Sequence, residues 1–134
     1  MRLIETALWA AGAVQLAIFG ANFYIPRKLQ YRQGIAGAPK IIRQIFYVHA
    51  GYVAGVVLLF ALISFLFAPD LASGAGLGRF IAAGICVFWA CRVPLQAFYY
   101  DAELRRGNRW GDIAMLTALL FLSATYGAAA MGAK

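Results

Sequence analysis

The chain has 134 residues, of which 63% are hydrophobic and 13% charged, and its formal net charge is +7. An ordinary soluble domain is roughly 45–50% apolar and about 25% charged, and a chain this short has too little interior to hide the surplus. The composition therefore excludes an ordinary soluble domain and points to an integral membrane protein. Most of the basic residues flank the apolar runs, which is the pattern of membrane topology rather than of nucleic-acid binding.

The first span is expected over about 3–24. Arg2 leads an apolar run containing the small triplet Ala11-Gly12-Ala13, as in a cleaved leader, but Glu5 interrupts the approach and the apolar run continues well past the triplet. The segment is read as a retained span. Pro26, Arg27 and Lys28 are expected to stop it. Gln15 and Asn22 are seven apart and share a face. Amides in hydrocarbon turn inward to neighbouring helices.

Residues 26–43 carry five basic and no acidic side chains, with Gly34, Gly37 and Pro39 opposing a continuous helix. This loop is expected to rest on anionic headgroups or to meet an acidic partner. The second span follows at about 44–68. His49 and Tyr52 are neighbours on its surface and, with Gln44, form a broad polar sector. Gly51 and Gly55 form a GxxxG pair on the Gln44 side, which suggests a face set against protein, either within the chain or in a dimer.

Residues 69–77 are expected to be a tight turn. The third span is expected over about 78–100 and contains both cysteines, Cys86 and Cys91, at a spacing that forms no redox motif. They are read as small buried apolar residues. This span also contains the stretch Phe88 to Asp101, where Arg92, Pro94 and Gln96 interrupt an apolar run. A charge in hydrocarbon costs roughly 2.5–3.5 kcal/mol on insertion scales, so Arg92 calls for a partner, a cavity or a ligand. Pro94 removes a helical hydrogen bond and frees the carbonyl of Ala90. The fourth span is expected over about 110–130, with Asp112 near its start and Trp110 beside Tyr99 and Tyr100 in an interfacial belt.

Four spans joined by short links imply an all-α integral membrane fold, one membrane domain with four transmembrane helices in an antiparallel up-down bundle. Eight Lys/Arg fall in segments 26–43 and 101–109, against Arg2, Arg79 and Lys134 on the opposite side. Both loops are then expected in the cytoplasm and both termini outside. In that topology Asn22, His49, Tyr52, Arg92, Gln96 and Tyr99 fall in the cytoplasmic half, and the outer half reads as almost wholly apolar. Arg92, Gln96, His49, Tyr52, Asn22, Tyr99 and Trp89 are the candidate ligand-binding residues. They would line a cytoplasmic-side pocket for an amphipathic anion, such as a lipid or quinone-like molecule, in a binding or accessory subunit. The competing reading is that Arg92 bonds within the protein, to the Ala90 carbonyl, a tyrosine, Asp101 or Asp112, and fixes helix packing.

A membrane enzyme or carrier is the alternative function, with His49 as acid or base and Tyr52 and Arg92 stabilising charge. No hydrolase triad, phosphate loop or zinc motif is present. No cofactor is expected: one histidine rules out a bis-histidine haem within the chain, leaving single ligation by His49 as the alternative. A metal site is not expected, nor a nucleic-acid partner; membrane lipids are, together with a membrane-protein partner or further copies of the chain. The pattern F-W-x-x-R-x-x-x-Q-x-F-x-Y-D, present as Phe88 to Asp101, resembles that of uncharacterised bacterial four-span inner-membrane proteins. The resemblance implies that location and brings no activity with it.

Overall fold

Each long apolar run satisfies its own main-chain hydrogen bonds by forming a helix, as a lone segment must where water is absent. The computed structural model describes residues 3–28, 31–34, 36–96 and 109–132, with the backbone alone at 22–28 and 31–32. The helices are α1 (Leu3–Lys28), the single turn α2 (Tyr31–Gly34), α3 (Lys40–Leu66), the short α4 (Ala68–Ala72), α5 (Gly76–Pro94) and α6 (Arg109–Ala130). Among the described residues there is no strand. Four of the helices, α1, α3, α5 and α6, are long and apolar enough to cross a membrane.

No more than 28% of the apolar window in any of these four helices is buried inside the protein. Leu3, Leu66, Leu77, Phe80 and Trp110 stand largely exposed on their outer faces. A water-soluble protein seldom leaves so much contiguous apolar surface uncovered, whereas acyl chains cover it at no cost.

Several boundaries differ from the sequence expectation. α1 continues through Pro26 to Lys28, because proline forfeits one helical hydrogen bond without preventing the chain from remaining helical. α3 starts at Lys40, with Pro39 at its N-cap in an extended conformation (ψ 148°). The expected tight turn after it is partly helical: α4 has a proline in its first turn and buries Ala68, Leu71 and Ala72. Beyond Pro94, α5 widens into a π-type turn at Leu95 and Gln96, as expected where proline removes a donor from the ladder.

α5 packs chiefly on α6 and α1 on α3, with α1 also against α6 and α4 wedged among α1, α3, α5 and α6. Close approaches occur where glycine leaves room. Gly12 lies under the Phe65 ring, where an added Cβ would stand 2.9 Å from the ring atoms. Gly78 abuts the Asp70 carbonyl, and Gly74 (φ 69°) lies against Gly132 (φ 80°). The GxxxG pair is not one of these places. A Cβ on Gly51 or Gly55 would meet nothing within 4 Å, so within one chain that face is not packed against protein.

The packing is uneven along the bundle. At the α4 end, Leu8, Ala11, Leu71, Ala72, Ala82, Leu122 and Ala129 are buried in one cluster with little or no exposure. At the other end burial falls away. α3 has no buried residue before Ala54, and α6 none before Leu119. The polar features described below lie in and just beneath the tight half.

Candidate functional site

The tight half holds a chain of buried polar groups joining all four long helices. Gln15 of α1 is fully buried, and so are Ser64 of α3 and Tyr126 of α6. The Trp89 indole N–H donates to Gln15 Oε1 at 3.0 Å. Gln15 Nε2 donates to the Tyr126 hydroxyl at 2.6 Å and to the Ala11 carbonyl at 3.2 Å. Tyr126 and Ser64 are hydrogen-bonded to each other. Ser64 Oγ donates to the Phe60 carbonyl at 2.9 Å.

Donor inventory assigns every proton in this chain. Indole can only donate, so the Gln15 oxygen must face Trp89 and its two amide hydrogens must face Ala11 and Tyr126. The Ser64 proton is committed to Phe60, so Tyr126 donates to Ser64. Each donor has one acceptor and none is left over. Such a network orders side chains in a unique arrangement and leaves no donor without an acceptor. Gln15, Ser64, Thr125 and Tyr126 are thus buried polar residues within the tightly packed part of the bundle. Of these, the sequence shows Gln15 as an inward-turned amide, but neither Tyr126 as its partner nor Ser64 as the partner of Tyr126. Their only sequence signal is that both are polar positions within about one turn of the end of an apolar helix.

Directly beneath this network lies a cavity of about 50 Å³, lined by Ile18, Val53, Val57, Phe88, Trp89, Arg92 and Met115. All four long helices contribute to it. Arg92 supplies the charge, Trp89 belongs to both the cavity and the network, and the remaining lining is hydrocarbon, aromatic ring or thioether. Phe88 packs edge-on against both Trp89 and Phe60, with centroids 5.0 and 5.1 Å away. Val53 and Phe88 are 43% and 37% exposed, so the cavity reaches the outer surface between α3 and α5.

The other candidate residues are distributed around this centre rather than gathered in it. His49 is one turn from Val53, on the flank of α3, exposed, with Nδ1 bonded to the Ile45 carbonyl at 2.9 Å. It does not line the cavity. Tyr52 points away from the bundle, 72% exposed. It borders an open groove of about 450 Å³ along the outer face of α3, with Val48, Gly51, Gly55, Val56 and Leu59. Gln96 is held by α6: its Nε2 donates to Asp112 Oδ1 at 2.9 Å, joining the end of α5 to the start of α6. Tyr99 and Asp101 lie outside the described residues, as does the side chain of Asn22.

Cys86 and Cys91 are unbonded thiols. Cys86 is half-buried and donates to the Ser123 carbonyl at 3.3 Å, whereas Cys91 is exposed, against the expectation of burial. Among the described residues no group of three His, Cys, Asp or Glu side chains is placed to hold a metal ion.

Comparison with protein-family models, with curated proteins and with solved structures finds no match.

Proposed function

We propose that this chain is a small membrane protein that binds the anionic head of an amphipathic molecule at Arg92, with the molecule's apolar tail lying among acyl chains along the α3–α5 flank. The observation that carries this reading is the cavity itself. Arg92 lines a space between the four long helices whose other walls are apolar, and Val53 and Phe88 bring that lining to the surface. Its low-polarity walls strengthen any charge pairing made inside it. Arginine presents five donors in a planar fork suited to oxyanions. An amphiphile entering from the bilayer would bring its charge to that fork without drawing its tail out of hydrocarbon.

Binding is favoured over catalysis by the placement of His49. The chain's single histidine stands outside the cavity, so the acid or base that a membrane enzyme would need does not share a space with the charge-stabilising group. The closed network above the cavity likewise supplies walls rather than reactive groups.

The test is native mass spectrometry of the protein released from membranes in mild detergent. The reading expects a co-purified amphipathic anion on the wild type and its loss in Arg92→Gln, with thermal unfolding showing that the variant remains folded. Absence of bound amphiphile from the wild type, or equal occupancy in the variant, overturns it.

A further inference from the structure

We infer that the outer face of α3 seats a second copy of this chain, with Tyr52 of each copy donating a hydrogen bond to His49 of the other. The observation that carries this is a donor and an acceptor left unmet on one exposed surface. His49 Nδ1 lies 2.9 Å from the Ile45 carbonyl. A carbonyl only accepts, so Nδ1 carries the proton, and the neutral ring keeps Nε2 as a free acceptor. Tyr52, three residues on, is 72% exposed. Among the described residues neither its hydroxyl nor His49 Nε2 has a hydrogen-bond partner. By contrast, Gln15, Trp89, Ser64 and Tyr126 all find their partners inside one chain. Residues 44–66 of α3 carry no charge, and Tyr52 stands about 4.5 Å along the axis from the middle of that stretch. With α3 across a membrane, the Tyr52 backbone is about 10 Å from the nearer edge of the hydrocarbon, beyond a tyrosine's reach. A hydroxyl without a partner is costly there.

A second copy meets both needs at once. Copies inserted with the same topology are related by a two-fold axis along the membrane normal, so their α3 helices run parallel and every contact occurs twice. Tyr52 starts about 4.5 Å further along its helix than His49. Its side chain leans back toward the helix N-terminus, which brings the hydroxyl toward the height of the other copy's imidazole. The backbone permits the approach. Gly51 and Gly55 lie on this face, and a Cβ on either would meet nothing within 4 Å. With Val48, Tyr52, Val56 and Leu59 they line an open groove of about 450 Å³. Glycines at this spacing let two helix backbones cross closely. The groove lies on the opposite side of α3 from its buried residues Ala54, Val57 and Ala61, so a copy seated there leaves the packing of each bundle intact.

The experiment measures Förster transfer between donor- and acceptor-labelled full-length chains in phosphatidylcholine vesicles, titrated over protein density. The wild type is expected to form dimers. Tyr52→Phe keeps the ring and removes the donor, and is expected to weaken dimerisation at least fivefold, since each dimer loses two bonds. His49→Leu is expected to weaken it similarly, and the double variant to be no weaker than the weaker single, because both changes remove the same bonds. Gly51→Ile meets open space within one chain and is expected to weaken dimerisation at least tenfold while thermal unfolding of the monomer is unchanged. Gly55→Ile is expected to do the same and serves as the second variant should Gly51→Ile fail to fold. A wild type that stays monomeric at every density leaves the face to lipid or to a different protein and overturns the inference. A dimer indifferent to both glycine substitutions forms through another face and overturns it equally. A dimer lost in Gly51→Ile but unchanged in Tyr52→Phe refutes the reciprocal hydrogen bonds.

Discussion

Replacing Tyr126 with phenylalanine removes a single oxygen from the centre of the polar network while keeping the ring that fills the core. Two hydrogen bonds disappear, one accepted from Gln15 and one donated to Ser64. Side-chain hydrogen bonds between membrane helices are worth about 0.6 kcal/mol each on average and reach about 1.7. Loss of the pair alone gives roughly 1.2 kcal/mol. One amide hydrogen of Gln15 is then left without an acceptor in a fully buried site, and an unsatisfied buried donor costs about 1–3 kcal/mol. Ser64 retains its bond to Phe60, so its side adds little. The expected loss is about 2–4 kcal/mol, read as a shift in reversible unfolding in mixed detergent micelles. The companion Gln15→Leu removes the stranded amide, so the double variant is expected to lose clearly less than the two single losses added together. Strict additivity, or a Tyr126→Phe loss below ~0.5 kcal/mol, would refute the reasoning, because the network would then not be carrying the helix contacts.

Further outcomes follow from the packing. Gly78→Ala drives a Cβ into the Asp70 carbonyl, which is backbone and has little room to yield, so a loss toward the upper end of the ~1–3 kcal/mol overpacking range is expected in thermal unfolding. Gly51→Ala meets open space and is expected to leave unfolding of the isolated chain within about 0.5 kcal/mol of wild type. Gln96→Leu cuts the bond to Asp112, and a double-mutant cycle with Asp112→Leu is expected to show coupling of about 0.6–1.7 kcal/mol. Zero coupling there would mean that the ends of α5 and α6 are held by something else.

The four spans were legible in the sequence because hydrocarbon leaves an isolated apolar segment one backbone solution, and length and composition then suffice. Gln15 was legible as an inward-facing amide for a related reason: it has no solvent to turn to. The break near Pro94 could be read from the missing donor of one residue. The other members of its network could not be read in the same way. Ser64 and Tyr126 are 62 positions apart in sequence, and only the relative height of α3, α6 and α1 brings their hydroxyls together. That height depends on the close seating of Gly12 under Phe65 and of α4 against α5, which no periodicity displays. The placement of His49 and Tyr52 was misjudged for a physical reason too. Sharing a helix face with each other and a depth with Arg92 does not bring side chains together where the helix packs little, and α3 buries nothing before Ala54. Arg92 and Trp89 do share a cavity, because they lie where the bundle is still closed around them.

The most direct test of the Arg92 site is photolabelling in membranes doped with an anionic amphiphile that carries a diazirine next to its head. The binding account predicts adducts concentrated on the cavity-lining residues Val53, Phe88 and Met115, competed away by unlabelled amphiphile and absent from Arg92→Gln. Adducts spread evenly over the lipid-facing residues of all four helices, with the same pattern in Arg92→Gln, would contradict it.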